Sequence, residues 1–169
     1  MIKDERVHFF LNYVIEPDYI LSESDNYLLE ETDDSGYTRL TVNVSGSNVC
    51  VNNYDKKRRC EFFNPAHIYG FKKCIDHFIL QYHDDAWILH MIEMKKSVGA
   101  STWRGSIKPK MRSSYLNIQA FAAVMGIKIS RVIAYTTYEE EKFDRGEVRE
   151  TTNPVLYKGA SGKPVYDSK

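Results

Sequence analysis

The most regular stretch of the chain is Trp87 to Met94, where apolar residues fill both sets of alternating positions. Period two places Trp87, Leu89 and Met91 on one face and Ile88, Ile92 and Met94 on the other, with His90. A strand that is apolar on both faces is predicted to be central and covered on each side. Phe71 to Leu80 reads as another strand, and Tyr82-His83-Asp84-Asp85 predicts a hairpin that lays it antiparallel beside Trp87 to Lys96. Upstream, Val7, Phe10, Leu11 and Val14 recur at i, i+3, i+4 and i+7, which predicts an amphipathic helix from Lys3 to Val14. Thr38 to Val44 and Asn48 to Asn53 alternate around Ser45-Gly46-Ser47 and are expected to pair as a hairpin, with a further short strand at Lys57 to Phe63. Downstream, Met111 to Met125 predicts a buried helix stopped by Gly126, and Ile127 to Tyr135 a closing strand.

The element order is therefore helix, antiparallel strands, helix, strand, an α/β chain of the α+β kind with a mixed central sheet. Glu139-Glu140-Glu141 reads as a solvated charge run after the last strand. Beyond Phe143 the chain holds Asn153-Pro154, Gly159, Gly162 and Pro164 with few apolar residues, which predicts one domain over 1–138 and an extended arm or tail over 139–169.

Two charged residues interrupt the apolar pattern. Glu93 and Lys95 continue the Trp87 face, where an unpaired carboxylate or ammonium is costly. A salt-bridged strand end would account for an isolated Glu-x-Lys. Asp76, which the hairpin brings to the same sheet face, adds a second carboxylate. Two hard carboxylates suit Mg2+ or Mn2+, and such an ion acidifies an attacking water and neutralises charge on a scissile phosphate. Lys95 is placed to orient that water and to stabilise the charge that develops.

Ile75-Asp76, followed after sixteen residues by Glu93-Met94-Lys95, resembles the motif of the PD-(D/E)xK nuclease superfamily, with Ile75 in the place of the proline. The resemblance implies a restriction-endonuclease-like core, with Asp76 and Glu93 as metal ligands, the Met94 carbonyl joining them and Lys95 assisting the water. It also implies a Lys, Arg or Gln reaching the site from the following helix, for which Lys110, Arg112 and Gln119 are candidates. A Glu from the first helix is implied as well, and Glu5 is its candidate. The implied activity is Mg2+- or Mn2+-dependent phosphodiester hydrolysis, with DNA favoured over RNA. The alternative is a catalytically silent protein of the same fold that binds nucleic acid or a protein partner in defence, repair or mobile-element biology.

Composition permits this reading. At 169 residues and 19.7 kDa the chain is sized for one domain, and 43% hydrophobic with 13% aromatic residues excludes general disorder. No apolar run reaches membrane-spanning length, and Met-Ile-Lys-Asp-Glu-Arg at the start is not a signal peptide. Cys50, Cys60 and Cys74 form no CxxC, so a reducing, cytoplasmic setting is expected. No GxSxG, Walker loop or GxGxxG is present, and His67, His77, His83 and His90 lack zinc spacing.

Net charge is zero, yet it is segregated along the chain. Residues 1–55 hold 3 Lys and Arg against 11 Asp and Glu, whereas residues 56–112 hold 12 against 5, balances of −8 and +7. The basic segment contains the motif and supplies candidate nucleic-acid contacts at Lys72, Lys73, Lys96, Arg104, Lys108, Lys110 and Arg112. Trp103 beside Arg104 is a candidate to stack on a base, Lys108 to Arg112 approach a predicted helix N-terminus, and Lys56-Lys57-Arg58-Arg59 is a candidate backbone clamp. The acidic first third is the expected surface for a protein partner, and a dimer is left open.

Overall fold

The doubly apolar run forms the strand that organises the molecule. The computed structural model describes residues 5–15, 17–21, 24–33, 36–56, 73–142, 157–158 and 164–165. Among them, β3 (Ser47–Val51), β4 (His77–His83), β5 (Ala86–Val98) and β6 (Ile129–Glu141) form a sheet in that order. β3, β4 and β5 pair antiparallel, while β6 pairs parallel to β5. The β4–β5 turn places Asp84 and Asp85 at φ 49° and 57°, as a tight two-residue hairpin loop of type I′ requires. A parallel neighbour needs a long crossover, and here it is helical: α2 (Ala100–Thr102), a π-turn (Trp103–Ile107) and α3 (Lys108–Val124).

Each sheet face has its own cover. Trp87, Leu89 and Met91 pack with Ile107, Met111 and Ile118 of the crossover and with Val7 and Leu11 of α1 (Glu5–Tyr13). On the other face, Ile79, Ile92 and Met94 pack with Tyr27 and Leu29 of β1 (Asn26–Asp33). β1 pairs antiparallel with β2 (Gly36–Asn43) in a separate two-stranded sheet. A fully buried side chain such as Leu29 or Met91 contributes roughly 1.5–3 kcal/mol relative to its exposed state.

The hairpin expected between Thr38–Val44 and Asn48–Asn53 does not form. β2 turns back on β1, whose alternation buries Tyr27, Leu29 and Glu31 and exposes Leu28, Glu30 and Thr32. Gly46, at φ 80°, then redirects the chain into β3, which pairs with β4. The strand read from Phe71 begins at His77, with residues 73–76 as its approach.

The helix expected from Met111 starts eleven residues earlier, at Ala100. Pro109 hides this continuity, because a proline lacks the N–H and collides with the carbonyl four residues back in a regular helix. The π-turn widens the helix at that point, with the Lys108 N–H bonded to the Trp103 carbonyl five residues back. α3 ends as expected at Gly126, at φ 75°, with the Gly126 N–H bonded to the Ala123 carbonyl and the Ile127 N–H to the Ala122 carbonyl.

β6 continues through Glu139–Glu141, and the Lys142 N–H bonds to the Val98 carbonyl, so the boundary expected at residue 138 falls inside a strand. Past it, Tyr157–Lys158 pairs with Pro164–Val165 (β7 and β8). The strand expected at Lys57–Phe63 and the residues Lys57, Arg58, Arg59, Cys60, His67 and Lys72 lie outside the described residues. No helix among the described residues is long and apolar enough to cross a membrane.

Candidate functional site

Asp76 is placed by its backbone neighbours before its side chain makes any contact. The Ile75 N–H donates to Ser114 Oγ of α3 at 2.8 Å, and the Tyr54 N–H donates to the Asp76 carbonyl at 2.5 Å. One residue on, His77 Nδ1 accepts from the Asn53 N–H at 3.0 Å. These bonds tie the approach to β4 against α3 on one side and against the 3-10 turn Tyr54–Lys56 on the other. The Asp76 carboxylate is buried, and its Oδ2 accepts from the Met94 N–H at 2.6 Å.

Glu93, fully buried on β5, faces two ammonium groups. Its Oε1 lies 2.9 Å from Lys95 Nζ and 2.7 Å from Lys110 Nζ. Lys110 also lies 3.6 Å from Asp76 Oδ1, so a single cation spans the two carboxylates. Burial, and then the charge of Asp76, push the Glu93 carboxyl above the ordinary carboxylate range, and Lys110 and Lys95 offset this only in part. Glu93 Oε2 is buried and has no hydrogen-bond partner among the described residues.

Asp76 has a second set of acidic neighbours. Glu31 from β1 and Asp55 from the 3-10 turn place carboxylate oxygens within 4.8 Å of one another and of Asp76. Lys56 Nζ approaches both Glu31 oxygens at 3.3 Å. Burial, with Asp76 and Asp55 nearby, still raises the Glu31 carboxyl above its usual value. Asp76 thus stands between two acidic groups, Glu93 on one side and Glu31 with Asp55 on the other.

A divalent cation fits this donor set. The oxygens are hard, Glu93 offers a buried oxygen with no bond, and the Lys110 ammonium already occupies a cation position between Asp76 and Glu93. Two ligands on one Mg2+ stand at most about 4 Å apart, since each lies about 2.0–2.1 Å from the ion. Carboxylate oxygens of Glu31, Asp55 and Asp76 all lie within 4.8 Å of one another, and Glu93 is not part of that group. Met94 contributes its N–H to Asp76, and its side chain packs in the core beneath the hairpin.

The structure therefore brings Asp76, Glu93, Lys95 and Lys110 together. Gln119 does not join them: its Nε2 donates to Tyr115 Oη at 2.5 Å, and it lies nine residues beyond Lys110. At about 100° per residue that is the opposite side of the helix. Glu5 is exposed, and its neighbour Arg6 lies over Gly126, at the end of α3 remote from Lys110.

Lys73, Lys96, Arg104, Lys108 and Arg112 are exposed, as phosphate contacts must be. Trp103 is half-buried in the π-turn and packs on the core, a wall position and not the free loop position expected for stacking on a base. Lys108, Lys110 and Arg112 do not flank a helix N-terminus, because the helix begins eight residues before Lys108. Pattern reading missed Glu31 and Asp55. The signal for Glu31 is the buried alternation Tyr27, Leu29, Glu31, which ends in a carboxylate.

Compared with protein-family models, curated proteins and solved structures, the chain matches none.

Proposed function

We propose that this chain is a Mg2+- or Mn2+-dependent nuclease of restriction-endonuclease-like fold, acting in the cytoplasm on DNA in preference to RNA. The observation that carries this reading is the single Lys110 ammonium spanning two buried carboxylates, 2.7 Å from Glu93 within β5 and 3.6 Å from Asp76 just before β4. The order α1, three antiparallel strands, helical crossover, parallel strand supports it, since this is the order the motif's superfamily implies.

Asp76 and Glu93 would hold the ion, with Glu31 and Asp55 completing the acidic surround. Bound there, a divalent ion would neutralise charge on the scissile phosphate and make water a stronger acid. Lys95, 20% exposed and resting on Glu93, is placed to orient the attacking water and to stabilise negative charge on the phosphorus oxygens. Lys110 favours the ionised form of Glu93 and offsets part of the cost of its burial. Exposed Lys73, Lys96, Arg104, Lys108 and Arg112 supply attraction for the phosphate backbone. Cys50 and Cys74 are free and buried, in keeping with a reducing compartment.

The test is cleavage of plasmid, linear duplex, single-stranded DNA and RNA with Mg2+ or Mn2+, compared with Glu93→Gln and Lys95→Ala variants whose circular dichroism matches the parent. The proposal expects cleavage at least about a hundredfold above either variant. Cleavage untouched by both substitutions overturns it. The two ammonium groups already on Glu93 favour one other reading, a silent fold that binds without turnover. Salt-dependent DNA binding with no cleavage under either metal would select that reading.

A further inference from the structure

The sheet face opposite Glu93 carries a second recess of different chemistry. A cleft of about 450 Å³ opens between β2 and the main sheet, floored by Leu40, Val42, Ile79 and Ile92. Its volume lies within the roughly 300–1,000 Å³ of small-molecule sites. No Asp, Glu, Lys or Arg lines it. A charged ligand would find no counter-charge on the lining itself, Arg131 near His90 lying outside it, so the occupant it favours is neutral.

The polar groups of the cleft are already ordered. The Tyr135 hydroxyl donates to His90 Nδ1 at 3.1 Å, and His90 Nε2 donates to Gln81 Oε1 at 2.8 Å, the tautomer this chain of bonds assigns. Gln81 Nε2 in turn donates to the Ser45 carbonyl at 2.8 Å. Burial holds the His90 ring near a pKa of about 4, so it is neutral at physiological pH. His90 and Tyr135 lie 16° from parallel with ring centroids 5.9 Å apart, and Tyr135 remains 41% exposed. Together they form an aromatic shelf fixed by hydrogen bonds. Beside it, Thr137 Oγ1 is buried and has no hydrogen-bond partner among the described residues. A hydroxyl can donate or accept, so it suits a ligand edge that alternates donors and acceptors.

We propose that this cleft binds a neutral, planar heteroaromatic ring of the nucleobase class, stacked on Tyr135 with its hydrogen-bonding edge on Thr137. The apolar floor accommodates the ring, the shelf supplies the stacking face, and the unbonded hydroxyl supplies an interaction that an apolar ring cannot use. Binding here does not depend on the nuclease reading. Thr137 lies opposite Met94 in the β5–β6 register, on the face away from Glu93.

The test is a titration of the full chain, followed by amide chemical shifts, with adenosine, inosine, cytidine, uridine and, as a ring without a hydrogen-bonding edge, toluene. At least one nucleoside is expected to give saturable shifts at His90, Gln81 and Thr137, with an affinity about tenfold or more above that for toluene. Thr137→Val and Tyr135→Leu, each checked for an unchanged melting temperature, are expected to weaken it about tenfold. Tyr135 is exposed, so its variant keeps the test intact if Thr137→Val does not fold. Three outcomes overturn the proposal: no saturable nucleoside shift, toluene binding as tightly, or binding unchanged in the folded variants.

Discussion

Asp76 accepts a hydrogen bond from the backbone N–H of Met94 at 2.6 Å, so the first carboxylate of the site is clamped to the strand that carries the second. Glu93 is the residue just before Met94, and Asp76 cannot shift relative to β5 without breaking this bond. Groups set on paired strands are held more accurately than groups set on loops.

Asp76→Asn keeps the size of the side chain and removes its charge. With Mn2+ at about a hundred times its dissociation constant, linkage stabilises the parent by about 2.7 kcal/mol. Urea denaturation with and without Mn2+ should show that increment in the parent and none in Asp76→Asn. An equal increment in the variant would remove Asp76 from the ligand set.

Lys110→Met leaves Glu93 with Lys95 as its remaining cation. Removing a partner from a buried charged group costs about 1–3 kcal/mol or more, and the loss should shrink when Glu93→Gln is combined with it. Because Lys110 lowers the Glu93 pKa, its removal raises that value further. Where cleavage requires ionised Glu93, the acid limb of the pH–rate profile should lie above the usual carboxylate range and move to higher pH in Lys110→Met. A limb that stays in place would show that Glu93 is not the group titrating there.

His77 and His90 are both pushed down to about 4 by burial. The unfolded chain therefore binds protons on these rings at a pH where the folded chain does not. Stability contributed by the neutral rings is complete above about 6.5 and is lost as pH falls toward 4, at up to about 1.4 kcal/mol per pH unit for each ring. Glu93 and Glu31, with raised values, act in the opposite sense and regain stability as they protonate. Chemical denaturation across this window should show a net fall for the parent and a shallower one for His90→Gln.

Ser114→Ala deletes the acceptor of the buried Ile75 N–H. The expected cost is about 1–3 kcal/mol, measured as a lower denaturation midpoint. Since Ile75 precedes Asp76, Mn2+ affinity should fall as well. Full metal affinity in a destabilised Ser114→Ala protein would separate the anchor from the site.

How far the residues themselves disclose this arrangement depends on the kind of signal each element carries. The strand at Trp87 is legible because both of its faces are apolar, and the turn at Asp84-Asp85 because two short polar residues tolerate positive φ. β1 is not, because apolar Leu28 on its exposed face and charged Glu31 on its buried face break the alternation. Glu31 is buried beside Asp76 and Asp55, whose charges add to the cost, and only Lys56 offsets it; all three are distant in sequence. Pro109 misplaces the helix start for a comparable reason, since a π-turn leaves no periodic trace. Asp76, Glu93 and Lys95 could be named from spacing along two strands. Asp55 could not, because its place is fixed by the Tyr54 N–H on the Asp76 carbonyl, a contact no pattern of side chains encodes.

The π-turn before Lys108 also acts as a phase correction. Side-chain direction advances about 100° per residue along a regular helix, and a π-turn accommodates one additional residue within the turn. The crossover can thereby present Ile107, Met111 and Ile118 to the sheet while Lys110 meets Glu93. Removing one residue from Trp103–Ile107 would leave a helix of nearly the same length and composition, rotated so that the ammonium no longer points at the carboxylates. The spacing between Gly99 and Lys110 is therefore as much a part of the site as the charged residues themselves.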